Sequence, residues 1–172
     1  MKRFALTAAG LASAAIAGTS AADVTIDYDT GNLAGLQFVA VDLSGYTGTL
    51  TGMTVVTNFY ASLSSSVWAS DFLVAVSNGT AGVSAGGYNA GFGFTDLGGF
   101  SWSYSFGTYS SYKAANLDMA GNSGALYLAN GWSTSPGGSW SGSVTLHGLT
   151  AVPAPGALAL LGVAGLVSRR RR

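Results

Sequence analysis

One histidine, seven aspartates and four tryptophans are the side chains through which this chain could do chemistry. His147 invites a comparison with hydrolytic triads, in which an imidazole held by a carboxylate activates a hydroxyl. Serine is abundant, but we read no nucleophile elbow. His147 falls on the hydroxyl-bearing side of an alternating segment, so a surface histidine is expected. The aspartates could supply the two carboxylates of a glycosidase, but most sit beside glycine or at the ends of apolar runs, as turn-forming aspartate does. Asp27, Asp29 and Asn32, in "DYDTGN", are the best set of hard oxygen ligands and form a candidate Ca²⁺ site. An EF-hand needs glycine at the sixth loop position and glutamate at the twelfth, and neither is present. No other cofactor is expected.

The aromatic residues suggest a different chemistry. A tryptophan or tyrosine face can stack on a sugar ring, yet aromatic side chains also dominate protein cores. Phe100, Trp102, Tyr104 and Phe106 alternate with serine in "FSWSYSF". They are assigned to one buried strand face, because so large an exposed apolar patch is unusual. Trp132, in "NGWSTSPGG", and Tyr109 and Tyr112, in "GTYSSYK", are the candidate exposed glycan contacts.

Any such site must be held by β-structure. No long stretch has helical periodicity, while several runs alternate at period two. In "SWSGSVTLHGL", Trp140, Val144 and Leu146 share one face, and Ser141, Ser143, Thr145 and His147 share the other. "DVTIDYD", "LQFVAVDLSG", "TLTGMTVVTNFYASL", "VWASDFLVAVSN" and "ALYLAN" read as further strands. Asn-Gly pairs and Gly/Ser clusters punctuate them. About seven or eight strands are expected, in a single all-β sandwich or jelly-roll-like domain over residues 23–150. With no cysteine, this domain must hold together through packing and backbone hydrogen bonds, with a metal as the one further support open to it.

Both flanks read as processing signals. Residues 1–22 have a basic tip, an apolar stretch and small residues, the layout of a secretory signal peptide. Ser20 and Ala22 are placed for cleavage before Asp23. At the other end, residues 156–168 carry no charge and precede Arg169, Arg170, Arg171 and Arg172. As a helix these 13 residues would span ~20 Å, short of the ~30 Å hydrocarbon core of a bilayer. A marginal stop-transfer element is expected, with the arginines kept cytoplasmic. Between the two signals, Lys113 stands alone against seven aspartates, a formal charge of −6. That excludes nucleic acid as an expected partner, because such binding draws largely on cationic side chains.

The segment Val152–Arg172 resembles the PEP-CTERM sorting signal, a short proline motif followed by an apolar helix and an arginine cluster. Here the motif is Val152, Pro153, Ala154 and Pro155, with alanine in the place of the family's glutamate. The resemblance covers Val152–Arg172, within a sorting-signal region placed at residues 151–172, and implies three things. The export machinery and an exosortase-like membrane protease would be partners. The protein would be held transiently at the inner membrane. Its destination would be the cell envelope, the surface or the extracellular matrix. The resemblance implies no activity. A non-enzymatic structural or adhesive role is therefore expected, with a carbohydrate-binding module as the alternative and a small polysaccharide hydrolase as the third reading.

Overall fold

The computed structural model of the chain describes residues 22–152, except 36, 63–66, 88–92, 104, 121–122 and 133–136. Residues 1–21, in the expected signal peptide, and residues 153–172, in the expected sorting motif, lie outside the described residues. What is described is nearly all β and forms two sheets, the expected sandwich. The strands are β1 (Ala22–Leu33), β2 (Phe38–Asp42), β3 (Tyr46–Ser62), β4 (Phe72–Ser77), β5 (Gly82–Gly86), β6 (Thr95–Asp96), β7 (Gly107–Asp118), β8 (Ala125–Asn130) and β9 (Gly138–Ala151). One sheet has the order β1-β9-β3-β7 and the other β2-β8-β4-β5-β6. All pairings are antiparallel except β5 with β6.

The alternation read in β9 holds. Trp140, Val144 and Leu146 are buried, while Ser141, Ser143, Thr145 and His147 lie half-exposed on the outer face. After Leu146 the parity slips, because Gly148 sits at φ +86° and Leu149 is buried next. An alanine Cβ at Gly148 would come within 2.5 Å of the Thr49 carbonyl oxygen, so glycine makes this bulge possible. The core runs through both sheets. A ladder of rings, Phe59–Trp140–Phe72–Tyr28, spans it at centroid separations of 5.3, 5.5 and 5.3 Å. Burial pushes the Tyr28 hydroxyl pKa up.

β4 explains why "FLVAVS" carries apolar residues at every position. It lies inside its sheet and is buried on both faces. Phe72, Val74 and Val76 join the core, and Leu73 and Ala75 face the other way but are also buried. On that outer side the Phe94 ring occupies the space where a Gly82 Cβ would be, and its centroid lies 6.4 Å from Tyr127.

Three expectations need correction. "FSWSYSF" is not a strand: Phe100–Ser103 are irregular, and the chain bends at Ser105 and Phe106. Phe100 and Trp102 are buried as expected, but Phe106 is 60 % exposed. Alternation alone could not separate a strand from an extended loop that turns every second ring inward. "VWASD" is not strand either. Ala69–Asp71 form one 3₁₀ turn before β4. Among the described residues there are nine strands rather than seven or eight, because β5, the short β6 and β7 lie outside the runs that read as strands.

The strand directions divide the connections between two ends. One end holds the connections β1–β2, β3–β4, β6–β7 and β8–β9 and the C-terminal end of β5, while β6, parallel to β5, begins toward the other end. The other holds β2–β3, β4–β5 and β7–β8, together with the start of β1 and the end of β9. At this second end the Val152 N–H donates to the Gly45 carbonyl at 2.8 Å. The segment that precedes the arginine cluster therefore leaves the domain opposite the first group of loops. The 14 residues of β9 separate the two ends by about 45 Å at ~3.3 Å per residue.

Candidate functional site

The four connections at the first end and the C-terminal end of β5 are tied to one another by hydrogen bonds. The Gly131 N–H donates to the Asp71 carbonyl (2.7 Å), Gly87 to Ser70 (3.1 Å) and Gly86 to Gly98 (3.2 Å). Fully buried Asn130 donates its side-chain amide to the Leu33 carbonyl (3.1 Å) and accepts from the Trp132 N–H (2.9 Å). Two glycines are required here. Gly86 (φ +78°) lies directly against the Phe100 ring and the Phe72 carbonyl, and Gly87 (φ +60°) lies against Gly131 and Leu73. A side chain at either would push the loops apart.

These ties enclose a cleft of about 250 Å³ lined by Trp68, Ser70, Asp71, Gly87, Gly99, Phe100 and Trp132. Trp68 is 37 % exposed and Trp132 is half-buried. The Phe100 wall is rigid because its ring stacks on Trp102 at 3.9 Å, and Trp102 stacks on Tyr109 at 5.8 Å. Lys113 donates to the Gly99 carbonyl at 2.7 Å and lies 5.8 Å from the Phe100 centroid.

Asp71 is the only acid among the lining residues. Its Oδ2 accepts from the Trp68 backbone N–H at 2.8 Å, which closes the 3₁₀ turn. Its Oδ1 takes none of the hydrogen bonds found among the described residues. Burial pushes the Asp71 carboxyl above the usual range, against the smaller opposing effect of the Trp68 hydrogen bond. The cleft thus combines aromatic walls with a desolvated acceptor, a combination suited to a ring that has an apolar face and hydroxyls at its edge.

Of the candidate glycan contacts, the structure brings only Trp132 into this cleft. Tyr109 is half-buried and packs behind Trp102 against the core, its hydroxyl on the Ser105 carbonyl, rather than standing in the cleft. Tyr112 is 58 % exposed but lies on the outer face of the four-stranded sheet, its ring centroid 5.8 Å from that of His147. Trp68, Asp71 and Phe100 were missed as site residues. Only an aspartate within an apolar run, "WASDF", hinted at one of them.

His147 is more organised than a bare surface histidine. Its Nδ1 lies 2.8 Å from Asp23 Oδ1 and its Nε2 lies 2.9 Å from Thr54 Oγ1. The contacts follow the order of a hydrolytic triad, but Thr54 sits mid-strand in β3, paired with β7 on one side and β9 on the other. "GVSAG", Gly82–Gly86, does have Gly-x-Ser-x-Gly spacing, contrary to our reading of the sequence. It forms the buried strand β5, where an elbow would need a strand-to-helix turn.

The Ca²⁺ candidates also resolve into local structure. Asp29 Oδ1 accepts from the Gly31 N–H (3.0 Å) and the Tyr60 hydroxyl (2.8 Å), and these bonds hold its pKa below the usual range, the Gly31 bond most strongly. Asp27 shares the outer face with Asp29, and a register irregularity separates Asn32 from both. Among the described residues no three acidic, histidine or cysteine side chains cluster to hold a metal. Asp42, Asp96 and Asp118 each accept from the backbone N–H two residues on, at 2.8, 2.8 and 3.0 Å, as turn aspartates do.

Fold and cleft together define a two-sheet β-sandwich with an aromatic-walled cleft at the end opposite its C-terminal strand exit. No protein-family model matches the chain, and neither a curated protein nor a solved structure matches it.

Proposed function

We propose that the chain is an exported, non-catalytic protein of the cell surface or extracellular polysaccharide matrix, and that it binds polysaccharide in the Trp68–Trp132 cleft. The observation that carries the reading is two tryptophans and Phe100 standing around the buried Asp71 carboxylate. A pyranose would lay its C–H face on an indole and direct a hydroxyl to Asp71. Such binding needs no second carboxylate, in contrast to glycoside hydrolysis.

The position of the cleft supports display. A sandwich held at its tail end, through the segment from Val152 to Arg172, would present the cleft about 45 Å outward. In this reading residues 1–22 direct export and an exosortase-like protease removes the arginine tail.

Two measurements test the proposal. Intact masses from separated cell and medium fractions should show loss of both ends; a membrane-bound form that keeps Arg169–Arg172 would contradict the sorting step. Tryptophan fluorescence titrated with soluble neutral and acidic polysaccharides should respond to at least one class. A flat response across the panel would refute the binding role.

A further inference from the structure

Each edge of a β-sheet presents unpaired backbone groups that invite another strand, and proteins normally blunt such edges. Three of the four edges here are blunted. β1 carries exposed Asp27 and Asp29 and two register irregularities. β7 turns Lys113 inward, with its ammonium on the Gly99 carbonyl. β6 is two residues long. β2, "FVAVD", is the least protected: its one charge is Asp42 at its end, whose carboxylate is taken up by the Ser44 N–H and hydroxyl. It pairs with β8 without a register shift, and it has no proline and no basic residue. Phe38, Val39, Ala40 and Asp42 are exposed, Phe38 by 52 %.

The hydrogen-bond parity of β2 shows which groups face outward. Gln37 O accepts from Asn130 N, and Leu43 N donates to Gly124 O. In an antiparallel pair such bonds fall on alternate residues. Val39 and Val41 therefore bond to β8, and the N–H and C=O of Ala40 and Asp42 point away from the sheet. We infer that β2 pairs antiparallel with β2 of a second copy of this chain, about a twofold axis through Ala40. The two Ala40 residues exchange N–H···O=C bonds in both directions. Val39 of each copy lies opposite Val41 of the other and extends the apolar layer beneath the sheet. A strand and its antiparallel copy are self-complementary, which a blunted or bulged edge is not. In this arrangement the aromatic clefts of the two copies point in opposite directions, so the dimer would bridge two polymer chains. The pairing itself does not depend on what the clefts bind.

The test uses protein expressed from the full-length sequence and recovered after export. Sedimentation equilibrium should show a concentration-dependent doubling of mass with a dissociation constant of roughly 1–100 µM, as a small interface gives. Hydrogen exchange should slow at the amides of Ala40 and Asp42 as concentration rises. Ala40→Lys and Ala40→Glu each place like charges directly opposite and should be monomeric alone, while their mixture should associate. Ala40→Pro removes an outward N–H only and should give a folded monomer. A wild type that stays monomeric to about 1 mM would overturn the inference. So would a dimer that survives the Lys and Glu variants, or that shows no slowed exchange at Ala40 and Asp42.

Discussion

Removing the Trp68 ring gives the most direct test of the cleft. Trp68 is 37 % exposed, so about 90 Å² of a ~250 Å² tryptophan is open to a ligand. Covering all of it would be worth roughly 2 kcal/mol at ~25 cal/mol/Å². A sugar covers one face, so about 1–2 kcal/mol should be lost in Trp68→Ala, about five- to thirtyfold in Kd. Trp132→Ala should fall in the same range, and the pair should cost more than either alone. Tyr112→Ala, on the outer face of the four-stranded sheet, should bind as wild type does. The assay is isothermal titration with the polysaccharide that gives the strongest fluorescence response. Thermal melts would confirm that both tryptophan variants stay folded. Wild-type affinity in folded Trp68→Ala and Trp132→Ala would refute the assignment of the cleft.

Asp71→Asn should keep the acceptor for the Trp68 N–H and relieve the buried charge. A carboxyl held above its unfolded pKa loses stability as pH rises through the folded value. Variant and wild type should therefore melt together below pH 3 and diverge above it, with Asn the more stable, while sugar affinity falls about tenfold or more because a charged hydrogen bond is lost. Leu146→Ala, at a fully buried position, should cost about 2–5 kcal/mol in urea unfolding. Gly86→Ala should destabilise the fold and weaken sugar binding together, because the added methyl strikes Phe100 and Phe72. His147→Ala should cost about 1 kcal/mol or less, since Asp23 is 60 % exposed. It should also leave any ester hydrolysis at the background rate; a measured rate that depends on His147 would contradict a non-catalytic role.

The all-β class was legible in the sequence wherever one strand face meets the core and the other meets water. β9 shows this best, because its period-two pattern records burial directly until Gly148 shifts the parity. The aspartate turns at Asp42, Asp96 and Asp118 were legible for a similar reason: an Asx turn closes within two residues, so its signal is local. The composition likewise makes residues 23–152 acidic, with Lys113 against seven aspartates. What the sequence could not supply was anything made by distant segments. Phe100 and Trp102 alternate like a strand but line a loop, because their partners Gly86 and Tyr109 belong to other strands. Trp68, Asp71, Phe100 and Trp132 come from three separate connections and meet only because β4 starts where β5 and β8 end. The edge position of β2 is likewise a property of sheet order. Periodicity reports which face of a segment is buried, whereas strand order is set by long-range pairing, and only the tertiary structure decides it.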